Sequence, residues 1–144
     1  MKIRELMTRD PACCIATDST HRAGTLMRRF DIGALPVVDD EVHRHLLGIL
    51  TDRDLCLFVV APNRLPAEVR VEECMKRNPV CCNPDDDTAR ALELMRSHHV
   101  RRLPVVNTQG VLVAMVSLTD LVRYRAVSDA ELVLMMEDLT QPAP

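Results

Sequence analysis

The chain repeats itself. Ile3-Arg4-Glu5-Leu6-Met7 lines up with Val71-Glu72-Glu73-Cys74-Met75, and the same spacing of 68 residues superposes Arg9 on Arg77, Pro11 on Pro79 and Cys13-Cys14 on Cys81-Cys82. It also superposes Thr20 on Thr88, Arg22-Ala23 on Arg90-Ala91, Leu26-Met27 on Leu94-Met95, and Leu35-Pro36-Val37-Val38 on Leu103-Pro104-Val105-Val106. The correspondence resumes at a spacing of 66, with Thr51 on Ser117 and Asp54-Leu55 on Asp120-Leu121, so the first copy carries two extra residues around Glu41 to His45. Whatever the chain folds into must be built twice from one short pattern.

Each copy has the same local reading. After the proline, Ala12 to Ile15 and Val80 to Cys82 read as short strands. Thr20 and Thr88 then open helices: Ala23, Leu26, Met27 and Phe30 recur at i, i+3, i+4, i+7, and Ala91, Leu94 and Met95 repeat the stripe. His98 takes the place of Phe30 and is expected as a half-buried helix residue. Leu35 to Val38 and Leu46 to Leu50 form two strands around a polar turn, as do Leu103 to Val106 and Val111 to Val116 around Asn107-Thr108-Gln109-Gly110. A second helix opens at Thr51 or Ser117. The order is β-α-β-β-α in each copy, an α+β fold: residues 1–61 make the first repeat, 62–70 a connector with two prolines, and 71–127 the second repeat. In residues 128–144, Ser128-Asp129-Ala130-Glu131 has a capping-box pattern. Leu132, Met135, Met136 and Leu139 then follow at helical spacing, so a C-terminal helix is expected, with a frayed tail from Thr140 to Pro144.

Hydrophobic residues are 47% of the 144, yet the aromatics are only two Phe and one Tyr. The core must therefore be aliphatic. A copy of about 60 residues with so few bulky side chains is marginal alone, so the two copies are expected to pack sheet to sheet as one unit. No apolar run approaches the roughly 18 residues of a membrane span, and Lys2, Arg4 and Glu5 interrupt any signal-peptide core. A protein of the cytoplasm is expected, without a membrane partner. A formal net charge of −3 gives no general basic field for nucleic acid. Six Cys without an export signal read as reduced thiols.

The most informative string is Gly48-Ile49-Leu50-Thr51-Asp52-Arg53-Asp54, echoed by Ala114-Met115-Val116-Ser117-Leu118-Thr119-Asp120. A strand ends in hydroxyl-x-x-carboxylate where a helix begins. Structurally, this pattern is a helix cap stabilising by about 1 kcal/mol. Chemically, such a carboxylate can accept two hydrogen bonds from a vicinal diol, beside backbone N–H groups that favour phosphate. A ribose with its phosphate needs both.

Two copies of Leu-Pro-Val-Val, of a Gly-h-h-Thr-x-x-Asp element (h hydrophobic) and of a preceding Met-x-x-x-Pro resemble a tandem pair of cystathionine-β-synthase (CBS) domains, also called a Bateman module, over residues 3 to 126. The resemblance implies two βαββα repeats packed as a pseudo-twofold pair, frequent homodimers, and an adenosine-containing ligand in clefts between the repeats: AMP, ADP, ATP, S-adenosylmethionine or NAD. It places ribose binding on Asp54 and Asp120, with hydroxyl partners on Thr51 and Ser117. The loop before Leu-Pro-Val, which in the family often gives phosphate a basic residue, falls on Gly33-Ala34 and on Arg101-Arg102. Thr8 falls where the family often has a phosphate-contacting hydroxyl, and Cys13 and Cys81 lie in the stretches whose backbone meets the base. Ala114 in place of glycine, and Gly33 in place of a cation, make the two clefts unequal.

The paired cysteines, with His43, His45, His98 and His99 not far off in sequence, raise a thiol or metal sensor as one further reading. Against it, no Cys-x-x-Cys occurs, and adjacent cysteines in a strand point to opposite faces, so the thiols are read as buried small hydrophobes. No nucleophile-base set or phosphate-cradling glycine loop is present, so a non-enzymatic module with no resident cofactor is expected. The leading reading is a regulatory sensor of an adenine nucleotide acting on another protein in trans. The alternative is a ligand-free interaction module in which the hydroxyl-x-x-carboxylate strings are only caps.

Overall fold

The computed structural model describes residues 1–141. The sequence-expected tail is therefore seen only to Gln141; Pro142 to Pro144 lie outside the described residues. The fold is α+β, with strands β1 (Thr8–Arg9), β2 (Cys14–Ile15), β3 (Ala34–Val38), β4 (Leu46–Thr51), β5 (Lys76–Arg77), β6 (Arg102–Val106) and β7 (Leu112–Ser117). The helices are α1 (Thr20–Phe30), α2 (Asp52–Leu55), α3 (Thr88–His98), α4 (Leu118–Arg123) and α5 (Asp129–Thr140). Short 3-10 turns cover Ile3–Glu5, Pro66–Glu68 and Val71–Glu73, and α2 continues as a π-helical stretch over Cys56–Val60.

The chain divides into two compact units, and neither is a continuous half. One comprises residues 12–79 with 110–112; the other comprises residues 1–11, 80–109 and the described residues from 113 onward. In the first unit the sheet order is β2-β3-β4-β5, with β2 parallel to β3 and the remaining pairs antiparallel. In the second it is β1-β7-β6, with β1 antiparallel to β7. Each sheet thus takes an edge strand from the opening of the other repeat. The pairing is equivalent in both: Lys76 faces Ile49, and Thr8 faces Met115.

Local chemistry explains the helices. Ser19 caps α1 by accepting the Arg22 N–H, and Asp31 ends it in the left-handed conformation, its N–H donating to the Met27 carbonyl. His99 ends α3 in the same way. Ala23 and Met27 are buried, as are Ala91, Leu94 and Met95, which is the stripe the spacing predicts. Phe30 departs from it: it is half exposed, with the Arg29 guanidinium 5.3 Å from its ring centre. His98 is also exposed rather than half-buried, its Nδ1 3.1 Å from the Leu94 carbonyl. Both are the last residues of their helices.

The strand expected over Val80 to Cys82 reduces to one parallel bridge from Cys82 to Val105, because Pro84 has no N–H to extend the ladder and Asp86 turns back onto the Asn83 carbonyl. The strand expected from Val111 starts at Leu112, and Val111 bridges His45. The aliphatic core of the first unit centres on Leu35, Val37, Leu50, Val59 and Val71. That of the second centres on Ile3, Met95, Leu103, Leu121 and Met135.

Candidate functional site

In the first unit, β4 delivers Thr51 to the head of α2. The Thr51 hydroxyl accepts the Asp54 N–H at 3.2 Å, and Asp54 Oδ2 accepts the Thr51 N–H at 2.9 Å, so the capping box is complete. Asp54 is 3% exposed. Its other oxygen lies 3.9 Å from the Lys76 ammonium, a cation that reasoning from the repeat did not foresee because its counterpart is Thr8. Gly33 accepts the Asp52 N–H through its carbonyl at 2.9 Å. A Cβ on Gly33 would stand 2.9 Å from Asp52 Oδ2, so this position is held beside an acid.

The second unit repeats the frame with different charges. Ser117 donates both its N–H (2.8 Å) and its hydroxyl (2.7 Å) to Asp120 Oδ2, and its Oγ accepts the Asp120 N–H at 3.1 Å. Asp120 Oδ1 has no hydrogen-bond partner among the described residues, and the residue is part-buried. The Arg101 carbonyl accepts the Leu118 N–H at 2.8 Å, as Gly33 does for Asp52. Here the loop is basic and the facing residue apolar. Arg101, Arg102, Ser117, Leu118, Thr119 and Met136 line a pocket of about 260 Å³. Neither arginine joins an ion pair among the described residues. That volume is just below the roughly 300 Å³ at which pockets for whole drug-sized ligands begin.

Thr8 is exposed on β1, opposite Met115, in this same unit. Met136 comes from α5, whose apolar stripe reads from the sequence as cover for the core or for a dimer seam. Nothing in the spacing of a one-face helix says which pocket its flank will wall.

The paired cysteines alternate as strand geometry requires. Cys14 and Cys82 are buried, Cys13 and Cys81 are half-buried, and all six cysteines are free. Burial pushes the Cys14 and Cys82 thiols up to about 12. Burial also raises Cys13, though the nearby Arg44 guanidinium opposes it, and raises Cys81. Neutral thiols are poor nucleophiles and poor metal ligands. Among the described residues no group of three or more His, Cys, Asp or Glu could hold a metal ion, and no helix is long and apolar enough to cross a membrane.

The Bacillus subtilis (strain 168) protein YlbB is 38% identical to this chain over 120 residues, 83% of this chain and 79% of that one. The crystal structure of Hypoxic Response Protein I with two coordinated zinc ions superposes with a TM-score of 0.78 at 29% identity, covering 86% of this chain and 98% of that one. The CBS domain protein PAE2072 from Pyrobaculum aerophilum, solved with AMP, has the same fold: TM-score 0.78 at 23% identity, over 95% of this chain and 99% of that one. The CBS domain family model matches residues 3–61 and 71–127, and with two such matches the chain belongs to the CBS domain family as a tandem pair.

Proposed function

We propose that the chain is a regulatory module that binds an adenosine-containing ligand and that its second unit takes the phosphate-bearing end. One observation carries this reading: the pocket in which Arg101 and Arg102 stand beside Ser117, next to a carboxylate with one oxygen left for a ribose hydroxyl. Arginines give phosphate paired, charge-assisted hydrogen bonds. The carboxylate can accept from the 2′- and 3′-hydroxyls while its Oδ2 stays in the cap.

The first unit suits a different occupant. Asp52 stands exposed beside Gly33, and the buried Asp54 carboxylate has the Lys76 ammonium near its second oxygen, which favours an adenosyl group without a phosphate chain. A ligand that regulates must bind two conformations of the module unequally. The output then falls on another protein in trans.

Titration calorimetry with AMP, ADP, ATP, S-adenosylmethionine and NAD tests the proposal. Loss of AMP binding in an Arg101→Ala plus Arg102→Ala variant, with S-adenosylmethionine binding retained, is the expected pattern. Failure of all five ligands to bind the intact chain overturns it.

The second reading, a ligand-free interaction module, is favoured by the completeness of both capping boxes, which account for the hydroxyl and carboxylate without any ligand. It predicts that Asp120→Asn changes stability alone.

A further inference from the structure

The walls of the arginine pocket are held in two different ways. Arg101, Arg102, Ser117, Leu118 and Thr119 lie at the start of β6 and where β7 runs into α4. They share one frame, fastened by the Leu118 N–H on the Arg101 carbonyl and by the Ser117–Asp120 capping box. The remaining wall, Met136, stands half exposed on α5. Among the described residues no backbone–backbone hydrogen bond joins α5 to another element. Side chains hold it instead: Met135 is fully buried, Leu132 and Leu139 are partly buried against the same core, and Arg96 Nε donates to Asp138 Oδ2 at 2.8 Å. The helix also caps itself, through Ser128 and Glu131, so detaching it breaks no ladder.

The pocket and the seat of α5 share a short stretch of chain. On α5, Met136 lines the pocket and Asp138 reaches α3. Where α3 ends, His99 Nδ1 lies 2.9 Å from the Asp138 carbonyl oxygen, and two residues later Arg101 lines the pocket. Withdrawing α5 therefore removes the methionine wall and frees the His99 end of the arginine loop together. Water then reaches the guanidinium groups from the side that the methionine covers, and a charge-assisted contact to phosphate weakens as the local dielectric rises. A ligand that binds better with α5 seated must, reciprocally, hold α5 down.

We propose that α5 is the element through which the second unit reports occupancy: a phosphate-bearing ligand in the arginine pocket seats α5 on α3, and an empty pocket lets it loosen. The proposal rests on the ligand reading above and adds to it the part of the unit that moves. Between Val60 and Lys76 the chain forms no α-helix, so the first repeat is followed by no equivalent reporter.

Amide hydrogen exchange on the full-length chain, read by mass spectrometry beside calorimetry with AMP, tests it. In the free chain, amides of residues 132–140 should exchange at least about tenfold faster than those of residues 92–96. Saturating AMP should slow the α5 amides at least about fivefold. The slowing should vanish in the Arg101→Ala plus Arg102→Ala variant. Met136→Ala, which leaves buried Met135 in place, should still bind AMP but lose most of the slowing. Absence of AMP binding to the intact chain removes the ligand reading and this proposal with it. AMP binding with α5 exchange unchanged, α5 as protected as α3 in the free chain, or undiminished slowing in either variant overturns this proposal alone.

Discussion

Lys76 Nζ stands 3.9 Å from Asp54 Oδ1, so the buried carboxylate of the first repeat's hydroxyl-x-x-carboxylate string faces a cation supplied by the opening segment of the second repeat. The lysine side chain is 68% exposed and the separation exceeds a hydrogen bond. The pair is therefore expected to contribute at most about 1 kcal/mol to stability. Lys76→Ala should therefore lower stability by no more than about 1 kcal/mol in urea titrations. A larger loss would show that the buried Asp54 carboxylate depends on the lysine for its charge.

Gly48 has no room for a side chain. A Cβ there would lie 2.7 Å from the Lys76 carbonyl oxygen and 2.9 Å from Met75 Sδ. The sulfur can swing away, but the carbonyl belongs to β5, which pairs with β4 at Gly48 and Ile49. Gly48→Ala should therefore cost about 1–3 kcal/mol by prising the edge strand off, read as a lower urea midpoint. Ala114, the counterpart, is fully buried opposite Arg9 with its methyl accommodated. Ala114→Gly should lose only about 0.5–1 kcal/mol.

The exchange of edge strands sets what a fragment can do. Ile3 and Leu6 are buried in the core built on α3, β6 and β7, and Val69 and Val71 in the core built on α1, β3 and β4. Cutting the chain at residue 66 leaves each half without part of its own core. Fragments 1–66 and 67–144 should each lack a cooperative thermal transition alone. Ile3→Ala in the intact chain should cost about 2–5 kcal/mol, as for other buried aliphatic truncations. A cooperative melt from either fragment would refute this.

What the sequence disclosed follows from which interactions are local. The capping boxes at Thr51–Asp54, Ser117–Asp120 and Ser128–Glu131 each join residues three positions apart, and all three form. The one-face stripes of α1 and α3 were legible for the same reason. By contrast β1 and β5 are two residues long and owe their existence to partners far along the chain, so no periodicity could announce them. A repeat alignment says which residues are alike, not which sheet receives them. Lys76 stayed hidden because Thr8, its counterpart, has different chemistry. The π-helical turn over Cys56–Val60, closed by the Ala61 N–H on the Cys56 carbonyl, lies in a continuously apolar run that fits any helical period.

Buried thiols give the protein an alkaline limit. Cys14 and Cys82 are held near 12, against an ordinary thiol value of 9.0, by removal from water. Below pH 9 both thiols are protonated in the folded and unfolded chain alike, and their stabilising effect is fully present. Above pH 9 the unfolded chain loses these protons while the folded chain keeps them, so stability falls as pH rises toward 12, by up to about 1.4 kcal/mol per pH unit for each thiol. The Cys14→Ala plus Cys82→Ala variant should show a shallower decline between pH 9 and 11 in urea titrations. The slope is the readout, because the substitutions also change packing. At neutral pH, a thiol reagent should modify exposed Cys56 first and reach Cys14 and Cys82 only on unfolding.

Among the contacts that hold α5 on α3, two should respond differently to perturbation. Met135 is fully buried among Met95, Leu121 and their neighbours, whereas the Arg96–Asp138 pair is more than a third exposed on both sides. Met135→Ala should cost about 2–5 kcal/mol; Arg96→Ala should cost about 1 kcal/mol or less, and that smaller effect should fade with added salt. Because Met136 walls the arginine pocket, releasing α5 opens that pocket to solvent. Met135→Ala should thus weaken AMP as well as lower the midpoint, while Arg96→Ala should leave AMP affinity near the wild-type value. Equal effects of the two substitutions on AMP would show that the ion pair, not the buried methionine, keeps the helix in place.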